Sequence, residues 1–521
     1  MKVHLLHKSR DFDSSASIPA EDDVIRDLGL AIVFDAMGSG DAYLREAARK
    51  VMLASENDVD TILYRQDVLR DCLARRTTVQ QLYDVAVDAI EAERRDFLGG
   101  LARRPGSLLF RCTSLLEMFA DTLRRLHAIA QEHAFAFESE GMATLLTMLR
   151  AELTDDYIAT VRRHLKQLQF PNGMLMSAEL GDGNKGTAYV LRRGSLSSGG
   201  WMEAIFGTTS DRYSFQIAGR DDAGARALED LRARGLSLVA RAVGKSTDHV
   251  LSFLKVLRFE LAYYLGCANL HDRLSQLDAI VCFPQPAVSG DFELSASGLY
   301  DPGLALSQTD RPVSNSLAAD GKQLVIITGA NQGGKSTFLR SVGTAQLMMQ
   351  CGMFVAAQSF AANLVKRLST HFKREEDPTM TSGKLDEELG RMSAIADHLL
   401  PRSLVLFNES FSATNEREGS EIAEQIVTAL IERNIKVVFV THQYEFARRC
   451  FARLLSVTLF LKAERLPDGT RTFKIIEGAP EDTSHGKDLY RQIFLRSTGP
   501  ADRERQAVAQ PGSERGSHDP A

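Results

Sequence analysis

Residues 329–336 read GANQGGKS and follow directly on the apolar run LVIIT (Leu324–Thr328). This is the spacing G-x-x-x-x-G-K-[ST] in its expected setting: a strand ends, glycines let the backbone turn tightly, and TFLRSVGTAQLMMQ continues as a helix. Such a loop aims successive N–H groups and a helix N-terminus at one point, where the helix dipole favours negative charge. We therefore expect Gly329, Ala330, Asn331, Gln332, Gly333, Gly334, Lys335, Ser336 and Thr337 to hold a nucleotide. Lys335 reaches the β and γ phosphates, and the Ser336 hydroxyl is placed to ligate Mg²⁺. The plain alternative, a chance glycine-rich turn, needs strand, loop and helix to coincide.

Two later strands complete a hydrolytic pattern. SLVLFNES (403–410) is an apolar run ending in a polar pair, Asn408 and Glu409. A buried strand of this kind points its last residues at the metal and the attacking water. Glu409 is the candidate for polarising that water. Asn408 stands where a carboxylate is usual; an amide carries no charge, so a Mg²⁺ held by Ser336 and Asn408 should be held more weakly. KVVFVTHQ (436–443) then ends in Thr441 and His442. Alone, His442 reads as a hydrogen-bonded structural histidine. The order of the three segments makes it a contact to the γ-phosphate. Between the last two strands, SFSATNEREGSEIAEQIVTAL is a small polar turn followed by a helix. Its N-terminus can meet a phosphate, in this subunit or in a partner, or it is an ordinary capped loop; both readings stand.

The rest of the chain narrows the class. At 521 residues it has room for two to four domains. Lys and Arg total 62 against 68 Asp and Glu, so any nucleic-acid contact must rest on local patches. The six cysteines form no C-x-x-C pair, which suits free thiols in a reducing cytoplasm better than disulfides or zinc. No apolar stretch approaches membrane-spanning length, and the N-terminus lacks a signal-peptide core. After an N-terminal tail (1–21), residues 22–278 carry mostly helical periodicity. A glycine-rich, β-like insertion interrupts them at 167–217. Residues 279–495 alternate strands and helices, and 496–521 read as a disordered tail. Basic pairs recur in the helical half: Arg75/Arg76, Arg94/Arg95, Arg103/Arg104, Arg124/Arg125, Arg162/Arg163 and Arg192/Arg193. Each is a phosphate contact or a solvated face paired with nearby acids. Arg192 and Arg193 with Lys185, at the insertion, are the best placed for DNA.

Together these segments resemble the MutS family of DNA mismatch-repair ATPases. The resemblance is carried by TGANQGGKSTFLR, GMFVAAQ (352–358), SGKLDEELGRMSAIADHL (382–399), SLVLFNES, ATNEREG and THQYEFA. LYDPGL with PVSN (312–315), and TILYRQDVLRDCL (61–73), match more thinly. The resemblance implies an α/β P-loop NTPase domain of the ABC/MutS type at the C-terminal side, preceded by a mainly α-helical core and lever domain with a small β insertion. It implies ATP and Mg²⁺ as ligands, and a homodimer through the ATPase domains, each nucleotide closed by the partner's signature loop around Asn415 and Gly419. It also implies helical arms that clamp mismatched or branched DNA. Departures temper it: no room is left for the N-terminal mismatch-reading domain, and the family's acidic-strand Asp and signature Ser are here Asn408 and Asn415. Base-specific mismatch reading and fast hydrolysis are therefore not expected. The alternative is a nucleotide-switched scaffold that hydrolyses little and recruits protein partners. A soluble ABC-type motor for a membrane complex fits less well with the long helical half.

Overall fold

The computed structural model describes residues 1–14, 20–95, 104–171, 173–184, 186–192, 216–287, 292–308, 311–374, 383–466 and 470–480. The expected tail 496–521 lies outside them, as do Lys185, Arg103, Arg193 and residues 193–215 of the insertion. The chain divides into two compact units. One comprises Met1–Ser14, Met37–Ala48 and Leu63–Asn269, the other Ser15–Ala36, Arg49–Ile62 and Leu270–Ala521.

The helices of the first half are α1 (Glu21–Leu28), α2 (Leu30–Gly38), α3 (Ala42–Leu53), α4 (Val59–Ala74), α5 (Arg76–Arg95), α6 (Pro105–Glu132), α7 (Glu140–Glu152) and α8 (Asp155–Leu168). A hairpin of β1 (Leu175–Leu180) and β2 (Gly186–Arg192) follows, and then the 55-residue α9 (Asp222–Gln276). At 1.5 Å per residue α9 is about 80 Å long.

In the first unit α6 packs against α5, α7 and α8. Val68, Leu82, Phe119, Leu126, Leu146 and Leu261 are fully buried there. Within the range expected for the β-like insertion, 167–217, the described residues form the β1–β2 hairpin. The first residues, expected as a tail, are instead part of the core. Leu5 and Leu6 are fully buried. Glu260 of α9 accepts the Leu5 N–H at 2.6 Å, the Leu6 N–H at 3.2 Å and the Phe12 N–H at 3.4 Å. Tyr264 Oη donates to Leu5 O at 2.7 Å and Arg65 Nε to Leu6 O at 2.7 Å. A short irregular segment has no periodicity to reveal such burial; the backbone groups named here are satisfied by side chains far along the chain.

Several of the basic pairs are tied to neighbours within this unit. Arg124 and Arg162 share Asp121 at 3.1 and 2.6 Å, and Arg125 meets Asp88 at 3.0 Å. Arg76 bonds Asn269, and Arg192 Nε donates to Ser177 Oγ at 2.8 Å.

The second unit holds β3 (Gln285–Ala287), β4 (Leu294–Leu299), α10 (Pro302–Ser307), β5 (Asn315–Ala318), β6 (Leu324–Thr328), α11 (Lys335–Gln350), β7 (Ser359–Asn363) and β8 (Leu368–Phe372). It continues with α12 (Lys384–Ala396), β9 (Leu404–Asn408), α13 (Glu416–Glu432), β10 (Lys436–Val440), α14 (Tyr444–Arg453), β11 (Thr458–Arg465) and β12 (Arg471–Glu477). Six strands lie in the order β12-β11-β6-β10-β9-β8. From β8 to β11 neighbours are parallel; only β12 runs antiparallel. LVIIT and KVVFV are buried along their whole length, as parallel strands covered on both faces must be. Phe407 and Phe439 stack at 4.9 Å between centroids and anchor the core under α13 and α14. A second sheet has the order β3-β7-β4-β5.

Helix α1 belongs to this unit, not to the helical one that the expected boundary at residue 22 gave it. It packs on α11 and β8, with Val24 and Leu28 buried. A Cβ on Gly343 of α11 would lie 2.9 Å from Leu28. Asp23 meets Arg374 at 2.6 Å, and Arg340 Nε donates to Asp27 O at 3.1 Å. Amphipathic spacing shows that a helix buries a face, but not which body it is buried against.

Candidate nucleotide site

The site forms at the carboxyl ends of β6, β10 and β9, the edge where open α/β sheets bind ligands. The glycines of the loop answer to the strand behind it. Gly329 has φ 110°, and a Cβ there would stand 2.9 Å from Ala463 N of β11; at Gly333 it would stand 2.7 Å from Ala463 Cβ. Gly334, at φ 90°, caps α11 without a side chain. Asn331 and Gln332 are exposed on the loop, and Ser336 and Thr337 lie half-buried in the first turn of α11. Gln332 is left-handed at φ 58°, and its Oε1 accepts from Arg471 Nη1 at 2.7 Å.

Lys335 is 4% exposed and folds back on its own loop. Its Nζ donates to Gly329 O at 2.9 Å and Ala330 O at 2.8 Å. Burial pulls its pKa down to about 8, against the opposing charge of Glu409. Ser336 Oγ donates to Asn408 Oδ1 at 2.9 Å. Glu409, left-handed at φ 56°, accepts from His442 Nε2 at 2.7 Å. That hydrogen bond holds the Glu409 carboxyl below the ordinary carboxylate range, with the charges of Lys335 and Lys373 adding to it. The register explains the meeting. Val440 pairs with Asn408 on one side and with Ile327 on the other, so three polar strand ends converge.

Asn415 and Gly419 are placed differently. Asn415 caps α13: its Oδ1 accepts the Glu418 N–H at 3.0 Å and its Nδ2 donates to Glu418 Oε2 at 3.2 Å. Gly419 is buried one turn in, where a Cβ would stand 2.3 Å from Phe411 O and 2.6 Å from Gln443 Nε2. Its lack of a side chain is thus required by helix packing within the chain. No hydrogen bond joins either residue to the loop at 329–336 among the described residues.

For Mg²⁺ the residues present supply a hydroxyl, an amide and one neighbouring carboxylate. No cluster of three or more His, Cys, Asp or Glu that could hold a metal occurs among the described residues. Mg²⁺ keeps several waters and leans on substrate phosphates, so Ser336 and Asn408 fit it as neutral oxygen ligands beside a triphosphate.

Two features beside this site have no local sequence signature. The β11–β12 hairpin closes on the loop, with Phe473 left-handed at φ 58° and 47% exposed beside Gly334. Asn315, in the PVSN segment, secures it by donating to Phe473 O at 3.3 Å and accepting from Ile475 N at 2.7 Å. Second, His371 of β8 is wholly buried between Ser410 Oγ at 2.7 Å and Glu388 O at 2.9 Å. Burial pushes it down to about 4, so a neutral imidazole joins α12 to the loop after β9. Neither lies in a local motif; each depends on segments distant in sequence.

Comparison with known proteins agrees with both halves of the chain. The family model for the MutS2 N-terminal domain matches residues 57–277, and that for MutS domain V matches residues 325–493. The DNA mismatch repair protein MutS of Thermotoga sp. (strain RQ2) is 34% identical over 184 residues, 35% of this chain and 23% of that protein. MutS protein homolog 4 of Mus musculus is 24% identical over 243 residues, 44% of this chain and 25% of that protein. Endonuclease MutS2 of Thermus thermophilus is 30% identical over 204 residues, 38% of this chain and 27% of that protein. The chain thus aligns with about a quarter of the length of these relatives. With its helical half and its α/β half each matched by a model of the same family, the chain belongs to the MutS family.

Proposed function

We propose that this chain is a dimeric, ATP-gated DNA clamp with a P-loop ATPase domain, acting in mismatch repair or a related recognition of DNA structure. The observation that carries the reading is the convergence of Lys335, Ser336, Glu409 and His442 at one sheet edge. In this mechanism the loop N–H groups and Lys335 bind the β and γ phosphates, Lys335 exchanging two backbone carbonyls for them. Glu409 takes the proton of the attacking water, and His442 holds its carboxylate in place. Ser336 and Asn408 would hold Mg²⁺, which when bound would neutralise charge on the phosphates. Phe473 offers a ring face to the base. Thr414 and Asn415, at the start of α13, face the partner's nucleotide. Membrane insertion has no part in the proposal: among the described residues no helix is long and apolar enough to cross a bilayer.

DNA binding is tested by gel shift with duplex, mismatched and four-way-junction DNA, at several salt concentrations, with ATP and a non-hydrolysable analogue. Structured DNA is expected to bind more tightly than duplex, with affinity falling steeply as salt rises. Failure of every DNA form to bind at low salt removes the clamp reading.

The neutral Ser336–Asn408 pair favours a second reading, a switch that closes on ATP but turns over little. Asn408→Asp restores a carboxylate at the metal. Steady-state turnover should rise by about tenfold, the effect of lowering the barrier by roughly 1.4 kcal/mol. Unchanged turnover would show that charge at this position is not limiting.

A further inference from the structure

At the other end of the same strands, where β9 starts at Leu404 and β10 at Lys436, the α/β unit has a partly open cavity of about 230 Å³. One wall is Lys436, only 5% exposed. Among the described residues its Nζ makes a single long hydrogen bond, 3.5 Å to Ala319 O, and it lies 5.8 Å from the centroid of the Phe292 ring. An ammonium has three donors, and burying one without matching acceptors is costly. Burial pulls the Lys436 pKa down to about 7, opposed by the charges of Asp320 and Glu293.

The amides around the cavity do not compensate. Gln346 donates to Gln350 Oε1 at 2.8 Å and to Asn363 O at 2.9 Å, while Asn363 Oδ1 accepts the Glu293 N–H. These bonds run between the amides and the backbone, and none of them reaches Lys436. The remaining charged walls are Lys366 and Arg402, both exposed, and Glu293, so cations outnumber carboxylates among the lining residues.

We propose that this cavity is a binding site for a small anionic metabolite whose carboxylate or phosphate group meets Lys436. Its volume is below the roughly 300–1,000 Å³ of pockets for drug-sized ligands, which suits a molecule of a few carbons better than a nucleotide. A polynucleotide backbone has no access to a lysine buried this deeply. The site stands apart from the nucleotide loop and holds whether or not the chain hydrolyses ATP. An anion favours the charged form of Lys436, so binding near pH 8 takes up a proton.

Isothermal titration calorimetry on the full chain, with inorganic phosphate in one arm and malonate in the other, tests this. Each is run at pH 8 in two buffers of different ionisation enthalpy. At least one anion should bind with proton uptake; the arm that responds identifies the head group. Binding should survive Lys335→Ala, which disables phosphate capture by the nucleotide loop. It should weaken by about tenfold or more in Lys436→Met, the loss of one charged hydrogen-bond partner. Leu364→Trp, which fills the cavity and keeps Lys436, should weaken it as well. The proposal is overturned if neither anion binds up to about 20 mM, beyond the millimolar range of weak ligands. It is equally overturned if binding disappears in Lys335→Ala and persists in Lys436→Met.

Discussion

Glu409→Gln should lower the rate of ATP hydrolysis by about 10²–10⁴-fold, the usual contribution of a positioned general base, while ATP still binds. The substitution keeps the shape of the side chain and its acceptor oxygen for His442, but removes the basicity. Lys335→Ala should behave differently. It removes the ammonium that now bonds Gly329 O and Ala330 O and is proposed to meet the phosphates, so loss of nucleotide binding itself is expected. Fluorescent-nucleotide titration separates the two: retained affinity in Glu409→Gln, lost affinity in Lys335→Ala. His442 holds the Glu409 carboxyl below the ordinary carboxylate range. The base therefore stays ionised at neutral pH, and its loss by protonation is expected only in acid, below that range. Full hydrolysis by Glu409→Gln would remove Glu409 from the chemistry.

The second large effect is structural. Glu260→Ala leaves the Leu5, Leu6 and Phe12 N–H groups without their acceptor inside the helical unit. Unsatisfied buried groups cost about 1–3 kcal/mol each, so a destabilisation of ~3–5 kcal/mol is expected. For a unit of this size that lowers the melting temperature by roughly 10 °C. Scanning calorimetry should resolve it as a shift of one transition, and proteolysis should release the N-terminal segment. A shift of only a degree or two would mean that the segment is held by apolar contact alone. Burial also raises the Glu260 pKa from 4.5 to about 7. The protonated form is favoured by the fold. Its contribution to stability is full below about pH 4.5 and is lost as pH rises through 7. Glu260→Gln, which cannot ionise, should flatten that part of the pH profile.

Much of the candidate nucleotide site was legible because its parts are local. The loop of residues 329–336 is read from adjacent positions, and LVLFNE and VVFVTH announce strands by unbroken apolar runs ending in polar pairs. The meeting of Glu409 with His442 follows from parallel strands ending at one edge. The tethering of Gln332 by Arg471, the Asn315 clamp and the buried His371 were not legible. Each joins residues that no periodicity relates. Gly419 drew attention as part of a phosphate-facing loop, yet Phe411 O and Gln443 account for its glycine, which only packed neighbours reveal.

Local chemistry therefore marked the residues this chain is expected to offer to a phosphate, because phosphate loops and buried strands are short-range patterns of backbone freedom and apolarity. Tertiary structure alone decided where the irregular and amphipathic pieces are buried: residues 1–14 under Glu260, α1 against α11, and Lys436 beside a cavity. The physical reason is that burial of a face, a backbone donor or a charge is satisfied by whichever distant group meets it, and spacing along the chain carries no record of that partner.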